Sequence, residues 1–191
     1  KLSSNTKTIG NSCFYQCYLL KRLDIPESVN EIGEYVFEGC TLLEEIKIPQ
    51  NIKKINNGTF TNCESLKKIV IPESIIKIGA RAFEGCTSLK DIIIPKSIEE
   101  IEDHAFSECS SLESIDLPSI KTIPSFLFNK CKSLTQIIIP KSVTAIGEYA
   151  FNECSSLIDI DIPDNVTIIP ENAFAQCKSL VKINNSQNFK T

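Results

Sequence analysis

A phenylalanine recurs every 23 residues along nearly the whole chain, at Phe14, Phe37, Phe60, Phe83, Phe106, Phe128, Phe151 and Phe174, with one step of 22. Each is followed three residues later by a cysteine (Cys17, Cys40, Cys63, Cys86, Cys109, Cys131, Cys154, Cys177) and preceded five residues earlier by an isoleucine, from Ile9 to Ile169. A fixed period of this size is the signature of a repeat architecture. The unit reads V/I-x-x-I-G-x-x-A-F-x-x-C-x-x-L-x-x-I-x-I-P.

The close of each unit, as in Leu89 to Pro95, alternates apolar and outward positions with the period of two expected of a strand buried on one face. The proline then removes a backbone donor and ends it. Phe, Cys and Leu at steps of three predict a short helical or 3₁₀ turn, and V/I-x-x-I predicts a second short extended segment. Twenty-three residues cannot bury so many apolar positions alone, so the units must stack. Strands then lie about 4.8 Å apart in a parallel sheet, and eight coils make a solenoid roughly 35 Å long. The whole of residues 1–191 reads as a single repeat domain.

Two irregularities stand out. Leu117-Pro118-Ser119-Ile120 is one residue short of the usual I-P-x-x-V/I link, which predicts a tightened corner with the strand register preserved beyond it. In the last unit Asn184 and Asn185 replace the I-x-I ending and Phe189 falls on the next V/I column, so the unit is either a polar cap or an interrupted repeat.

Composition excludes little and agrees with the rest. The chain is 42% apolar and 23% charged with net charge −4, the profile of an ordinary globular protein, and no basic stripe interleaves with aromatics as nucleic-acid binding would require. No apolar run approaches the roughly 18 residues that span a bilayer. The chain starts at Lys1 and contains no methionine, so it reads as a piece of something longer.

The pattern L-x-x-I-x-I-P followed by x-x-V-x-x-I-G-x-x-A-F-x-x-C resembles the BspA-like class of leucine-rich repeats over about residues 6–183. The resemblance implies an α/β repeat solenoid, a right-handed leucine-rich repeat superhelix with a parallel concave sheet and short strand, 3₁₀ or helical turns on the convex side. It also implies a non-enzymatic binding or adhesion module, secreted or on a cell surface. Its partner would be a protein or glycan, such as one on a host surface. It brings no catalytic residues and no cofactor. An intracellular scaffold or a passive structural spacer domain is the alternative function, and the cytoplasm the alternative location.

Nine cysteines invite disulfide, metal and nucleophile readings. Zinc sites need local pairs such as C-x-x-C, and the repeat cysteines lie 22 or 23 apart. Burial as a small apolar residue accounts for all nine, Cys13 included, because it falls in the column of Val36, Ala82, Ala105, Ala150 and Ala173. His104, the only histidine, shares a column with Tyr35, Gly58, Arg81, Phe126, Tyr149 and Asn172, a variety that predicts surface. Gly10, Gly33, Gly79 and Gly147 mark one corner of successive coils rather than a phosphate loop. Sequons at Asn57, Asn165 and Asn184 permit glycosylation without arguing for it.

In L-x-x-I-x-I the second, third and fifth residues should face solvent. The fifth-position row runs Asp24, Lys47, Val70, Ile93, Asp116, Ile138, Asp161, Asn184. Ile93 is therefore the outward member of Ile92-Ile93-Ile94, with Val70 beside it on the neighbouring coil. Charge is uneven: basic residues outnumber acidic ones in the first four units, whereas the last four carry Glu113, Asp116, Asp159 and Asp161 against Lys182. The candidate ligand-binding residues are Lys47, Lys68, Val70, Asp91, Ile93, Asp116, Ile138 and Asp161.

Overall fold

A computed structural model describes residues 2–184, so the expectations for Asn185 and Phe189 lie outside the described residues. Within them the chain winds eight coils. In chain order the strands are β1 (Thr8–Ile9) and β2 (Arg22–Leu23) in coil one, β3 (Glu31–Ile32) and β4 (Glu45–Lys47) in coil two, β5 (Lys54–Ile55) and β6 (Lys68–Val70) in coil three, and β7 (Lys77–Ile78) in coil four. Coil five holds β8 (Glu100–Ile101) and β9 (Ser114–Asp116), coil six β10 (Thr122–Ile123) and β11 (Gln136–Ile138), coil seven β12 (Ala145–Ile146) and β13 (Asp159–Asp161), and coil eight β14 (Lys182–Asn184). All pairing is parallel, between neighbouring coils. The V/I, Ile, Phe, Cys, Leu and Ile columns form one continuous core, with the phenylalanine rings stacked at centroid spacings of 5.2 to 6.0 Å.

No helix occurs among the described residues, which corrects the α/β class and the expected 3₁₀ or helical turns. The steps of three are met instead by consecutive reverse turns: in coil four, Ala82 N–H bonds to Gly79 C=O, Glu84 to Arg81, Cys86 to Phe83 and Leu89 to Cys86. Two residues per coil, four apart, sit in the left-handed region, from Ser12 and Gln16 to Asn172 and Gln176. That conformation stops helical propagation. It also aims every second N–H at the next coil: Arg81, Phe83 and Gly85 donate to Asp103, Ala105 and Ser107. Thirteen of these sixteen left-handed positions are not glycine, with φ between 54° and 61°, so the stacked coils hold them against a cost of about 1 kcal/mol each.

The two strand faces are interrupted, in different places. The β1/β3 series breaks between coils two and three, five and six, and seven and eight. At intact junctions the residue in the glycine column donates to the isoleucine carbonyl of the preceding coil, as Gly79 does to Ile55 at 2.8 Å and Gly147 to Ile123 at 2.7 Å. At two of the breaks that residue is Pro124 or Pro170, which has no N–H. At the third, the Asn56 side-chain amide takes the Ile32 carbonyl. The other face forms sheets β2-β4-β6 and β9-β11-β13-β14, and Asp91 to Ile94 of coil four belongs to neither.

The short link behaves as its length demands. Elsewhere the post-strand proline accepts an N–H three residues on (Ile98 to Pro95, Val143 to Pro140), but Ile120 bonds to Pro118, two residues on, at 2.7 Å. The columns resume in phase, with Ile123 opposite Ile146 and Ile115 opposite Ile137. The expected continuity of register holds beyond the link but not across it on the β8/β10 side, where Pro124 stands.

Candidate functional site

The face carrying β2, β4, β6, β9, β11, β13 and β14 puts the sequence-predicted residues where the period of two requires. Ile92 and Ile94 are buried at 5% and 8% exposure, while Ile93 between them is 84% exposed; Ile138 is 73% and Val70 59% exposed. Lys47, Lys68, Asp91, Asp116 and Asp161 are exposed as well. Rigid parallel pairing aligns Lys47 with Val70 and Asp116 with Ile138, which in turn faces Asp161.

The structure does not bring all eight together. Lys47, Lys68 and Val70 line a shallow groove of about 650 Å³ with Arg22, Asp24 and Glu45. Asp91, Ile93 and Asp116 line a second, of about 640 Å³, with Glu73, Lys96 and Leu117. Val70 and Ile93 are not paired, because Asp91 to Ile94 of coil four belongs to no sheet, and the second groove is lined mainly by coils four and five. Ile138 and Asp161 continue from Asp116 along β11 and β13. Val70 and Ile93 stand on neighbouring coils and line different grooves.

Their electrostatics differ. In the first groove charges neutralise one another: Arg22 pairs with Glu45 at 3.3 Å, and Lys47 with Glu27 at 2.7 Å. The Lys47 hydrogen bond, with another from the Gln50 N–H, holds the Glu27 carboxyl below its ordinary value. In the second, neither Asp91 nor Asp116 has an ion pair or a side-chain hydrogen bond among the described residues, while Asp161 accepts from Asn184 at 2.6 Å.

The cysteine column does more than fill space. Cys40, Cys63, Cys86, Cys109, Cys131, Cys154 and Cys177 each direct Sγ at the phenylalanine carbonyl of the preceding coil, 3.0 to 3.2 Å away. Burial pushes the Cys40 thiol up to about 11 and Cys109 to about 12, and those of Cys63, Cys86, Cys131 and Cys154 well up also. Such thiols are poor nucleophiles. The expectation of nine buried cysteines needs correction at three: Cys13 and Cys17 are exposed and Cys177 is half-buried. Cys13 and Cys17 lie in the first of the described coils and Cys177 in the last.

One surface feature escaped the sequence reading. His104, Phe126 and Tyr149 stack their rings at 4.5 and 4.8 Å, and Asn172 donates to the Tyr149 hydroxyl. His104, Phe126 and Tyr149 form a half-buried ladder along the turn edge, whereas Tyr35, Arg81 and Asn172 of the same column are exposed, as expected. His104 Nδ1 is buried without a hydrogen bond, 3.9 Å from Glu84, and burial lowers its pKa. Three aromatic-type rings in register were visible in the sequence, but the left-handed backbone that lays them flat was not. At the sequon Asn57, both amide atoms are engaged, Nδ2 by Glu34 and Oδ1 by the Ala80 N–H.

Both segments 1–113 and 77–191, together the entire chain, match the model of the BspA type leucine rich repeat region. The chain belongs to the BspA-type leucine-rich repeat family. Among solved structures it is similar to a leucine rich repeat protein of T. pallidum (36% identity, 79% of this chain and 71% of that one, TM-score 0.76). It also resembles a leucine-rich repeat protein from Bacteroides ovatus (28%, 93% and 58%, TM-score 0.64). A third likeness is to a leucine rich cell surface protein from Faecalibacterium prausnitzii (27%, 95% and 70%, TM-score 0.53). Among curated proteins none matches. The chain spans just over half the length of the Bacteroides relative. Among the described residues no helix is long and apolar enough to cross a membrane.

Proposed function

We propose that this chain is a non-enzymatic recognition module that works outside the cell and meets its partner, a protein or glycan, with the strand face. The observation that carries the reading is the exposure of Ile93, Ile138 and Val70 on an ordered face whose alternate residues are buried. Large apolar side chains held out by a rigid backbone cost a partner little ordering entropy, and exposed apolar patches rimmed by polar residues mark interaction sites. Lys47, Lys68, Val70, Asp91, Ile93, Asp116, Ile138 and Asp161 are the proposed contact residues. The cell-surface relative from Faecalibacterium supports the location.

The test sets Val70→Lys with Ile93→Lys against a turn-edge variant, Tyr149→Lys, in binding to panels of immobilised surface glycoproteins and glycans. The strand-face variant is expected to fold like the wild type and to lose a ligand at least tenfold, while Tyr149→Lys keeps it. Loss only in Tyr149→Lys would move the site to the turn edge. Antibody against the chain should label intact cells; labelling only after permeabilisation would favour an intracellular scaffold.

A further inference from the structure

Resting on the strand face as the recognition surface, we propose that its part in coils four to seven accepts a short extended protein segment combining basic and apolar side chains, rather than a glycan. The fifth-position row there reads Ile93, Asp116, Ile138, Asp161, alternating apolar and acidic, and Asp116, Ile138 and Asp161 lie directly side by side. Ile93 and Asp116 line the same groove, which three carboxylates (Glu73, Asp91 and Asp116) share with one basic residue, Lys96.

Three observations set the partner's chemistry. Among the described residues Asp91, Asp116 and Asp159 make no ion pair, whereas in coils one to three Arg22 and Lys47 are already matched to Glu45 and Glu27. Lys90 and Glu113 pair at 3.9 Å at the second outward position of coils four and five, and a basic side chain arriving at Asp91, Asp116 or Asp159 meets carboxylates outside that pair. Between the carboxylates stand two of the most exposed isoleucines, Ile93 and Ile138, which reward apolar side chains on the same segment. The outward positions of these coils contain no aromatic ring on which a sugar could stack (Lys90, Asp91 and Ile93; Glu113, Ser114 and Asp116; Thr135, Gln136 and Ile138; Ile158, Asp159 and Asp161). Neither are the carboxylates a metal site: among the described residues no group of three potential ligands forms. Three coil steps from Ile93 to Asp161 span about 14 Å, the reach of four or five extended residues.

Fluorescence anisotropy with labelled Lys-Val-Lys-Val-Lys, Glu-Val-Glu-Val-Glu and Lys-Ser-Lys-Ser-Lys peptides tests this at low and high salt. The Lys-Val peptide should bind best, weakening several-fold between about 50 and 300 mM salt as exposed ion pairs are screened. Asp116→Asn with Asp161→Asn should weaken it at least fivefold, Ile93→Ser with Ile138→Ser likewise, and Glu45→Gln not at all. Equal binding of the Glu-Val peptide, or indifference to both double variants, would overturn the proposal. If no peptide binds while Val70→Lys with Ile93→Lys still abolishes capture of another ligand, the strand face stands and the basic-apolar chemistry falls. If binding responds only to Tyr149→Lys, both fall.

Discussion

The turn edge and the strand faces hold the same eight coils together in opposite ways. Along the turn edge every junction is bonded, by three backbone hydrogen bonds at the first six and two at the last. Along the strands no sheet runs the length of the molecule. The interruptions complement one another: where coil four drops out of β2-β4-β6, the β5-β7-β8 sheet bridges it, and where Pro124 and Pro170 cut that side, β9-β11-β13-β14 is continuous. Every junction keeps the turn ladder and at least one sheet. The turn edge tolerates Ser, Tyr, Gly, Arg, His, Phe and Asn at one left-handed position because the bond that position gives the next coil is made by its main-chain N–H. A strand ladder fails wherever one residue lacks its N–H. Continuity resides where side chains vary, which leaves the strand face free to open a groove at coil four.

The largest way to break the comparison is alkali. Burial raises the column thiols above their unfolded values, so both states hold the same protons below about pH 8.5. Above that pH the unfolded chain ionises first, and stability falls by about 1.4 kcal/mol per pH unit for each buried thiol. The loss continues towards the folded values near 11 and 12 at Cys40 and Cys109. Thermal melts in reducing buffer from pH 8 to 11 should drop steeply. Cys86→Ala, costing about 1–2 kcal/mol at pH 7, should flatten the slope by one thiol, and a flat wild-type profile would contradict the buried column.

Next in size is Phe83→Ala, expected to cost about 3–5 kcal/mol by opening a cavity in the stacked column, read by denaturant unfolding. Arg81→Pro asks the turn edge to accept what coil six accepts at Pro124. It removes the Arg81 to Asp103 bond and forbids the φ of 58°, so a loss of about 3 kcal/mol or more is expected; a neutral result would erase the distinction between edge and faces. The smallest effect belongs to Pro124→Gly. It restores a donor opposite Ile101 but frees the unfolded chain, so stability should shift by no more than about 1 kcal/mol. Slow hydrogen exchange of the amide gained at that position is the sign of a mended ladder.

Much of this was written in the sequence. A period of 23 with invariant Phe and Cys forces stacking, because no single unit can bury its own apolar face. The period of two in L-x-x-I-x-I then assigns Ile92 and Ile94 inward and Ile93 outward without further information. The missing residue before Ile120 announced the tighter corner. What the tertiary structure alone decided concerns backbone direction and neighbours. Steps of three fit a helix or a run of reverse turns equally well, and only the pull of the adjacent coil's carbonyls selects left-handed residues such as Arg81 and His104. The same one-residue alphabet cannot show that His104, Phe126 and Tyr149 lie flat on one another. It also cannot show that coil four leaves its sheet while keeping Ile92 and Ile94 buried. Local pattern determines which side of the chain is apolar; contacts between coils, each spanning 22 or 23 residues, determine how the backbone turns and which groups it leaves free.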